Sequence, residues 1–226
     1  ENLHQDETKN IIFSNDLIRK NILNIKNYNY KIENNNLIEN VNLSLNNNNI
    51  YFLVGSNGSG KSSFLKSLIN INDYKGEIFY ENIELQNIDI NKLFQITKYC
   101  PQNDIIFDDT IAFNILLSNE KPEDMVFLNK IIQTCELSKL TQSRNIFEYE
   151  VGQNGYKISG GEKQKILFAR ALYTRPSFLY LDESFSNISE TDTKKICEKL
   201  KEILPETLII IISHQVPNME KIKLKQ

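Results

Sequence analysis

The sequence predicts an α/β fold built on a mainly parallel sheet, and three observations carry that expectation. Ile50-Tyr51-Phe52-Leu53-Val54, Phe178-Leu179-Tyr180-Leu181 and Leu208-Ile209-Ile210-Ile211-Ile212 are short, unbroken apolar runs, the pattern of strands buried on both faces. Helical periodicity at about 160–174 and 190–203 precedes the second and third runs, and strands alternating with helices favour a parallel sheet. The first run leads at once into a Gly/Ser-rich turn and then into Phe64, Leu65, Leu68 and Ile69 at helical spacing, so strand, loop and helix follow one another.

Residues 1–21 are polar and mixed and are expected to form a linker or docking arm, with one domain over 22–226. Ile22-Leu23-Asn24-Ile25 and Leu37–Leu45 look like strands, the second with partial period-two alternation. The asparagine runs Asn34–Asn36 and Asn46–Asn49 fall between apolar segments and suit turns. From about 105 to 157 the pattern turns helical, with Met125, Leu128, Ile131, Ile132 and Cys135 on one stripe, and a helical subdomain is expected over about 103–160. There is no internal repeat.

A length of 226 residues, 40% hydrophobic and 24% charged, suits a globular domain with one sizeable core. The net charge of −3 gives no basic excess to recruit nucleic acid. No apolar run approaches the ~20 residues of a membrane-spanning helix. Cys100, Cys135 and Cys197 are scattered without a Cys-x-x-Cys pair, so small core thiols are expected rather than a zinc site. The chain starts at Glu1 and stops soon after the last apolar run, at Gln226, as an excised piece of a longer protein would.

Gly55-Ser56-Asn57-Gly58-Ser59-Gly60-Lys61-Ser62 matches G-x-x-x-x-G-K-[ST] in full. Gly58 and Gly60 permit backbone angles that let consecutive N–H groups face phosphate oxygens. The helix expected from Lys61 adds the positive end of its dipole. Lys61 is the candidate for the β- and γ-phosphates, Ser62 for Mg²⁺ and Ser63 for the α-phosphate. The flanking strand and helix are the context this motif requires.

Asp182 and Glu183 end an apolar strand, and ligands of open α/β sheets sit beyond strand carboxyl ends. Asp182 is thereby the candidate Mg²⁺ ligand, and Glu183 the candidate general base that polarises the attacking water.

Further segments resemble the ATP-binding cassette family. Ile158-Ser159-Gly160-Gly161-Glu162 resembles its signature sequence LSGGQ, Tyr99-Cys100-Pro101-Gln102 its Q-loop, and His214 after Ile209–Ser213 its switch histidine. With the phosphate loop and the acidic strand end they stand in the family's order over about residues 22–215. The resemblance implies a P-loop NTPase fold with a mainly parallel core sheet, an antiparallel β subdomain and an inserted α-helical subdomain. It implies that Ser159, Gly160, Gly161 and Glu162 of one copy close on ATP held by another, head to tail. Gln102 would contact Mg²⁺ and the attacking water, and His214 the γ-phosphate. Tyr30 resembles the aromatic that stacks on adenine, although Tyr28, two residues away, is also an aromatic on the same segment.

Four positions depart from the family pattern. Glu162 stands for the usual Gln, a carboxylate where repulsion would weaken ATP capture. Ser189 stands for the usual Asp of the loop after the acidic strand end, and Ser184-Phe185 for the common Pro-Thr. Glu150–Gly155 and Pro101–Ile111 resemble exporter rather than importer cassettes. The expectation is an Mg²⁺-dependent ATPase domain of an exporter, at the cytoplasmic face of a membrane, partnered by a transmembrane domain and a second nucleotide-binding domain. Non-transport cassettes that handle DNA or ribosomes carry long coiled-coil insertions or basic arms, whereas the stretch between Gln102 and Ser159 is short and not basic. A regulatory cassette without turnover is the remaining alternative, resting on Glu162 and Ser189.

Overall fold

A computed structural model describes residues 22–33, 35–141, 145–184, 189–213 and 216–224. The expected arm at 1–21 and the candidate His214 lie outside the described residues. The strands are β1 (Leu23–Ile32), β2 (Asn35–Leu45), β3 (Ile50–Val54), β4 (Lys75–Tyr80), β5 (Ile83–Glu84), β6 (Thr97–Cys100), β7 (Phe178–Asp182), β8 (Leu208–Ile212) and β9 (Lys221–Lys223). The α-helices are α1 (Lys61–Leu68), α2 (Ile90–Ile96), α3 (Ile111–Leu116), α4 (Met125–Thr134), α5 (Ser138–Thr141), α6 (Gly160–Tyr173) and α7 (Glu190–Ile203). None of the described helices is long and apolar enough to cross a membrane.

Two sheets form. One has the order β6-β7-β8-β3-β9 with every neighbouring pair parallel. The other, β2-β1-β4-β5, is antiparallel throughout. Strands β7 and β8 are buried at every residue, and period-two alternation sends their side chains into two different cores. Phe52, Leu179, Leu181, Ile209 and Ile211 pack with α3, α4, α6 and α7. Tyr51, Leu53, Phe178, Tyr180, Ile210 and Ile212 pack with α1 and the antiparallel sheet. The Tyr80 hydroxyl donates to the Leu68 carbonyl at 2.6 Å and meets the Tyr180 hydroxyl at 2.7 Å. It thereby ties the end of α1 to both sheets.

Strand β1 is longer than the four residues expected from the pattern. Its pairing with β2 shifts register between Ile25 and Tyr28, and Asn27 there takes φ 49. The bulge accommodates an extra residue, so Leu23, Ile25 and Tyr28 all reach the core despite broken alternation. In the helical region Met125 does not join the buried stripe. It is the first residue of α4, capped by the Asp124 carboxylate accepting from Phe127 N–H, and is 44% exposed. Leu128, Ile131, Ile132 and Cys135 are buried as the spacing requires.

Much of 101–110 and 145–158 is irregular backbone, and the first of these is held by a buried polar hub. The Arg170 guanidinium, on α6, donates to Asn114 O (2.6 Å), Ile105 O (2.9 Å) and Asn114 Oδ1 (3.0 Å). The Asn114 amide donates to Phe107 O and Thr110 O and accepts from Phe107 N–H. Each donor replaces a backbone partner that a helix or sheet would supply. Asn114→Ala should therefore destabilise the fold by about 2–4 kcal/mol, measured by denaturant unfolding, because it orphans several buried groups at once.

The three cysteines are buried and free. Burial pushes the Cys100 thiol up to about 11 and the Cys197 thiol up to about 12, and holds Cys135 well above the usual range. The folded state thus keeps the neutral thiol. This stabilisation is complete below the unfolded thiol's pKa of about 8.5 and is lost as pH climbs from there towards 11. Unfolding midpoints should fall progressively above pH ~8.5, less so in a triple Cys→Ala variant, and a disulfide reagent at neutral pH should react only after denaturant is added.

Candidate functional site

The phosphate loop connects β3 to α1. Gly60 caps α1 at φ +85, and a Cβ there would also meet Ile38 Cδ1 at 3.0 Å. Gly58 has φ +77 with open space around it. The Lys61 side chain is folded into the loop, its ammonium donating to Gly55 O at 2.9 Å and Ser56 O at 2.7 Å. An ammonium carries three donors, so these two bonds hold it at the loop and leave capacity for another acceptor. Ser59 lies beneath the loop, 2% exposed, while Ser56 and Asn57 are exposed. A cavity of about 370 Å³ opens here, lined by Ile32, Leu37, Asn57, Gly58, Gly60, Lys61, Ser62, Ser63 and Glu183.

Asp182 ends β7 at 5% exposure. Its carboxylate accepts from the Ser62 hydroxyl through Oδ1 (3.0 Å) and from the Tyr99 hydroxyl through Oδ2 (2.7 Å). Burial first, then Asp182, push the Tyr99 phenol far above its usual range, which keeps it a proton donor. Glu183 follows in the left-handed region, φ 56, with its N–H donating to Ile212 O at 3.0 Å. A non-glycine residue there costs of order 1 kcal/mol, which marks a position held by its surroundings. Its Oε2 accepts from the Gln102 amide at 2.8 Å. Lys61, Ser62, Gln102, Asp182 and Glu183, far apart in sequence, are thus connected at the carboxyl ends of β3, β6 and β7.

The two tyrosines of β1 separate cleanly. Tyr28 is fully buried, edge-on to Phe64 and hydrogen bonded to Ser67 at 2.9 Å. Tyr30 is half-buried, and Asn72 Nδ2 donates both to its hydroxyl and to Ser63 O, each at 3.4 Å. Tyr30 therefore stands beside the first turn of α1 and also borders a hollow of about 610 Å³ with Asp73 and Tyr74.

Ser159 caps α6, with Gly160 and Gly161 as its first residues. Glu162 does not project as a free carboxylate towards a ligand, as its expected repulsion assumed. Its Oε2 accepts from Ser159 N–H (2.7 Å) and from the Ser159 hydroxyl (2.8 Å), while Glu162 N–H donates to Ser159 Oγ (3.3 Å). This is a capping box, and the Ser-x-x-Glu spacing alone announces it. Ser189 likewise caps α7, accepting from Asp192 N–H. The residues to which the sequence assigned no role at the site are Tyr99, Asn72, and Ile32 with Leu37. The first two act through contacts 83 and 9 residues away, and only Leu37 stood on an expected strand.

A parallel sheet with a glycine loop at one strand end and a carboxylate pair at another is the architecture of phosphate-loop nucleotide-binding domains. A model described as ABC transporter matches residues 38–186. A putative export ATP-binding/permease protein of Rickettsia typhi (strain ATCC VR-144 / Wilmington) is 31% identical over 186 residues, 81% of this chain and 32% of that protein. The microcin-J25 export ATP-binding/permease protein of Escherichia coli shows the same identity and the same coverage of both chains. A solved structure of a bacterial Atm1-family ABC exporter with ATP bound superposes with a TM-score of 0.79 at 20% identity, over 92% of this chain and 37% of that one. The chain belongs to the ABC transporter family, and it spans about a third of the length of the curated relatives it matches.

Two loop substitutions test the backbone argument. Gly60→Ala and Gly58→Ala should each cost about 1–2 kcal/mol from the left-handed angle, with Gly60→Ala the worse because Ile38 must also shift. Thermal unfolding of the two variants side by side reads the difference.

Proposed function

We propose that this chain is the ATP-binding and ATP-hydrolysing domain of an exporter, driving translocation across a membrane by closing head to tail on a second such domain around ATP. The observation that carries the proposal is the convergence of Ser62, Gln102, Asp182 and Glu183 beside the phosphate loop. In this reading Tyr30 stacks on the adenine. Gly55, Ser56, Asn57, Gly58, Ser59, Gly60, Lys61, Ser62 and Ser63 cradle the phosphates. Glu183 polarises the water, and Gln102, already bonded to it, orients the same water. His214 acts at the γ-phosphate.

The donor set suits Mg²⁺. A serine hydroxyl, a carboxylate and an amide are hard oxygen ligands, and among the described residues no group of three or more His, Cys, Asp or Glu forms an all-protein cage. Mg²⁺ takes one or two carboxylates and completes its shell from phosphates and water. Ser62, Asp182 and Gln102 would hold it, and it would supply neutralisation of charge developing on the phosphates.

Head-to-tail closure is supported by Gly160 and Gly161. A Cβ at either would meet nothing within 4 Å, so packing within this chain does not call for glycine. Glycine inside a helix nonetheless costs ~0.5–1 kcal/mol relative to alanine. Close approach of a partner's triphosphate to the α6 N-terminus accounts for that cost. Ile105 (66% exposed), Phe107 (43%) and Tyr156 (74%) lie on the irregular segments around the helical region and offer an apolar surface to a transmembrane partner at the cytoplasmic side.

The test is Mg-ATP hydrolysis per mole of protein over a wide range of protein concentration. Specific activity should rise with concentration, and Glu183→Gln should lower it by at least ~10²-fold, the scale of losing general-base catalysis. Gly161→Ala should be as stable as the parent or more so, yet hydrolyse ATP at least ~10-fold more slowly, as expected when a ~1.4 kcal/mol contact is lost. Flat activity with concentration would defeat the paired site. ATP binding with no turnover at any concentration would favour a regulatory cassette.

A further inference from the structure

The hydroxyl of Tyr99 donates to Asp182 Oδ2 at 2.7 Å, while Oδ1 accepts from Ser62 at 3.0 Å. The contact follows from register. β6 and β7 run parallel with Tyr99 opposite Tyr180, so both side chains leave the sheet on one face, and Asp182 returns to that face two residues later. Diagonal neighbours across a strand pair are ~7–8 Å apart at Cα, within reach of an aromatic side chain. A tyrosine at this point of β6 reaches the carboxylate, whereas a phenylalanine would offer no donor.

We infer that Tyr99 is a positioning residue for the metal-binding carboxylate, holding one oxygen of Asp182 so that the other stays turned towards Ser62. The inference rests on the functional reading above, which makes Asp182 and Ser62 the metal's protein ligands. An aspartate carboxyl turns readily about its last torsion. With a separate donor on each oxygen, it has one arrangement. Ser62 would itself serve the metal, so the phenol is the donor dedicated to orientation. Tyr99 also stands three residues before Gln102 on the same strand end. One short segment therefore supplies both the group that orients the carboxylate and the amide that binds Glu183.

The experiment is Mn²⁺ binding to the full 226-residue chain in the presence of ADP, counting free Mn²⁺ by electron paramagnetic resonance. ADP binding in chelator serves as the metal-free control. Tyr99→Phe should raise the Mn²⁺ concentration for half-saturation by about tenfold, the usual scale when the partner that orients a metal ligand is removed. Metal-free ADP binding should stay within about twofold, since the phosphate loop is untouched. In an Asp182→Ala background the same substitution should add nothing, because its effect passes through that carboxylate. Unchanged Mn²⁺ affinity in Tyr99→Phe, with or without a lower melting temperature, overturns the inference and leaves the functional reading standing. Additive losses in the two backgrounds do the same. A parent chain that binds ADP but takes up no Mn²⁺ beside it overturns both together.

Discussion

The carboxylate of Asp182 is where three elements distant in sequence meet. It belongs to β7, and it is held by a hydroxyl from the first turn of α1 and by a phenol from β6. The strand bearing the phosphate loop is not next to β7, because β8 lies between them. Proximity of loop and carboxylate therefore depends on α1 lying across the sheet face, seated by Phe64, Leu65 and Leu68 in the core it shares with Tyr180 and Ile210. A one-residue slip of β7 would turn Asp182 to the opposite face. The unbroken burial of β7 and β8 excludes that slip, since no polar side chain could take the vacated core position without cost.

That division of the sheet into two faces organises the rest. One face holds α1 and the antiparallel sheet, and with them the loop, Tyr30 and the Asp182 contact. The other holds α3, α4, α6 and α7, and with them the Ser159-Gly160-Gly161 turn. Adjacent residues of one strand, such as Leu179 and Tyr180, thus contribute to packing with different duties. The two anion-ready helix starts, at α1 and α6, belong to opposite layers of the same domain. In the function proposed above, a second copy is what brings a loop of one kind to a helix start of the other.

What was legible in the sequence follows burial and locality. β3 and β8 were readable to the residue because burial on both faces leaves an unbroken apolar run, and α7 because a serine cap opens a clear amphipathic stripe. The phosphate loop was legible because its function is local. β1 was only half seen, since the bulge at Asn27 breaks the alternation a pattern search relies on. The segment 101–110 carries no periodicity, because Asn114 and Arg170 rather than a regular ladder satisfy much of its backbone, and 145–158 is held by turns and by single backbone bonds to 109–112. The orienting contact of Tyr99 was invisible, as it exists only once β6 and β7 are in register. Glu162 was visible in the local pattern as a capping box, yet comparison with the usual signature drew attention to its charge instead.

The Arg170 hub has a mechanical meaning. A planar guanidinium that serves the carbonyls of Ile105 and Asn114 and the side chain of Asn114 cannot follow one of them without abandoning the others. The apolar strip at Ile105 and Phe107 is in this way clamped to α6, whose first residue, Gly160, follows the Ser159 cap. The exposed strip and the glycine turn that opens α6 are therefore joined through a single side chain, and a load on the strip would have Arg170 and the body of the helix as its path to that turn.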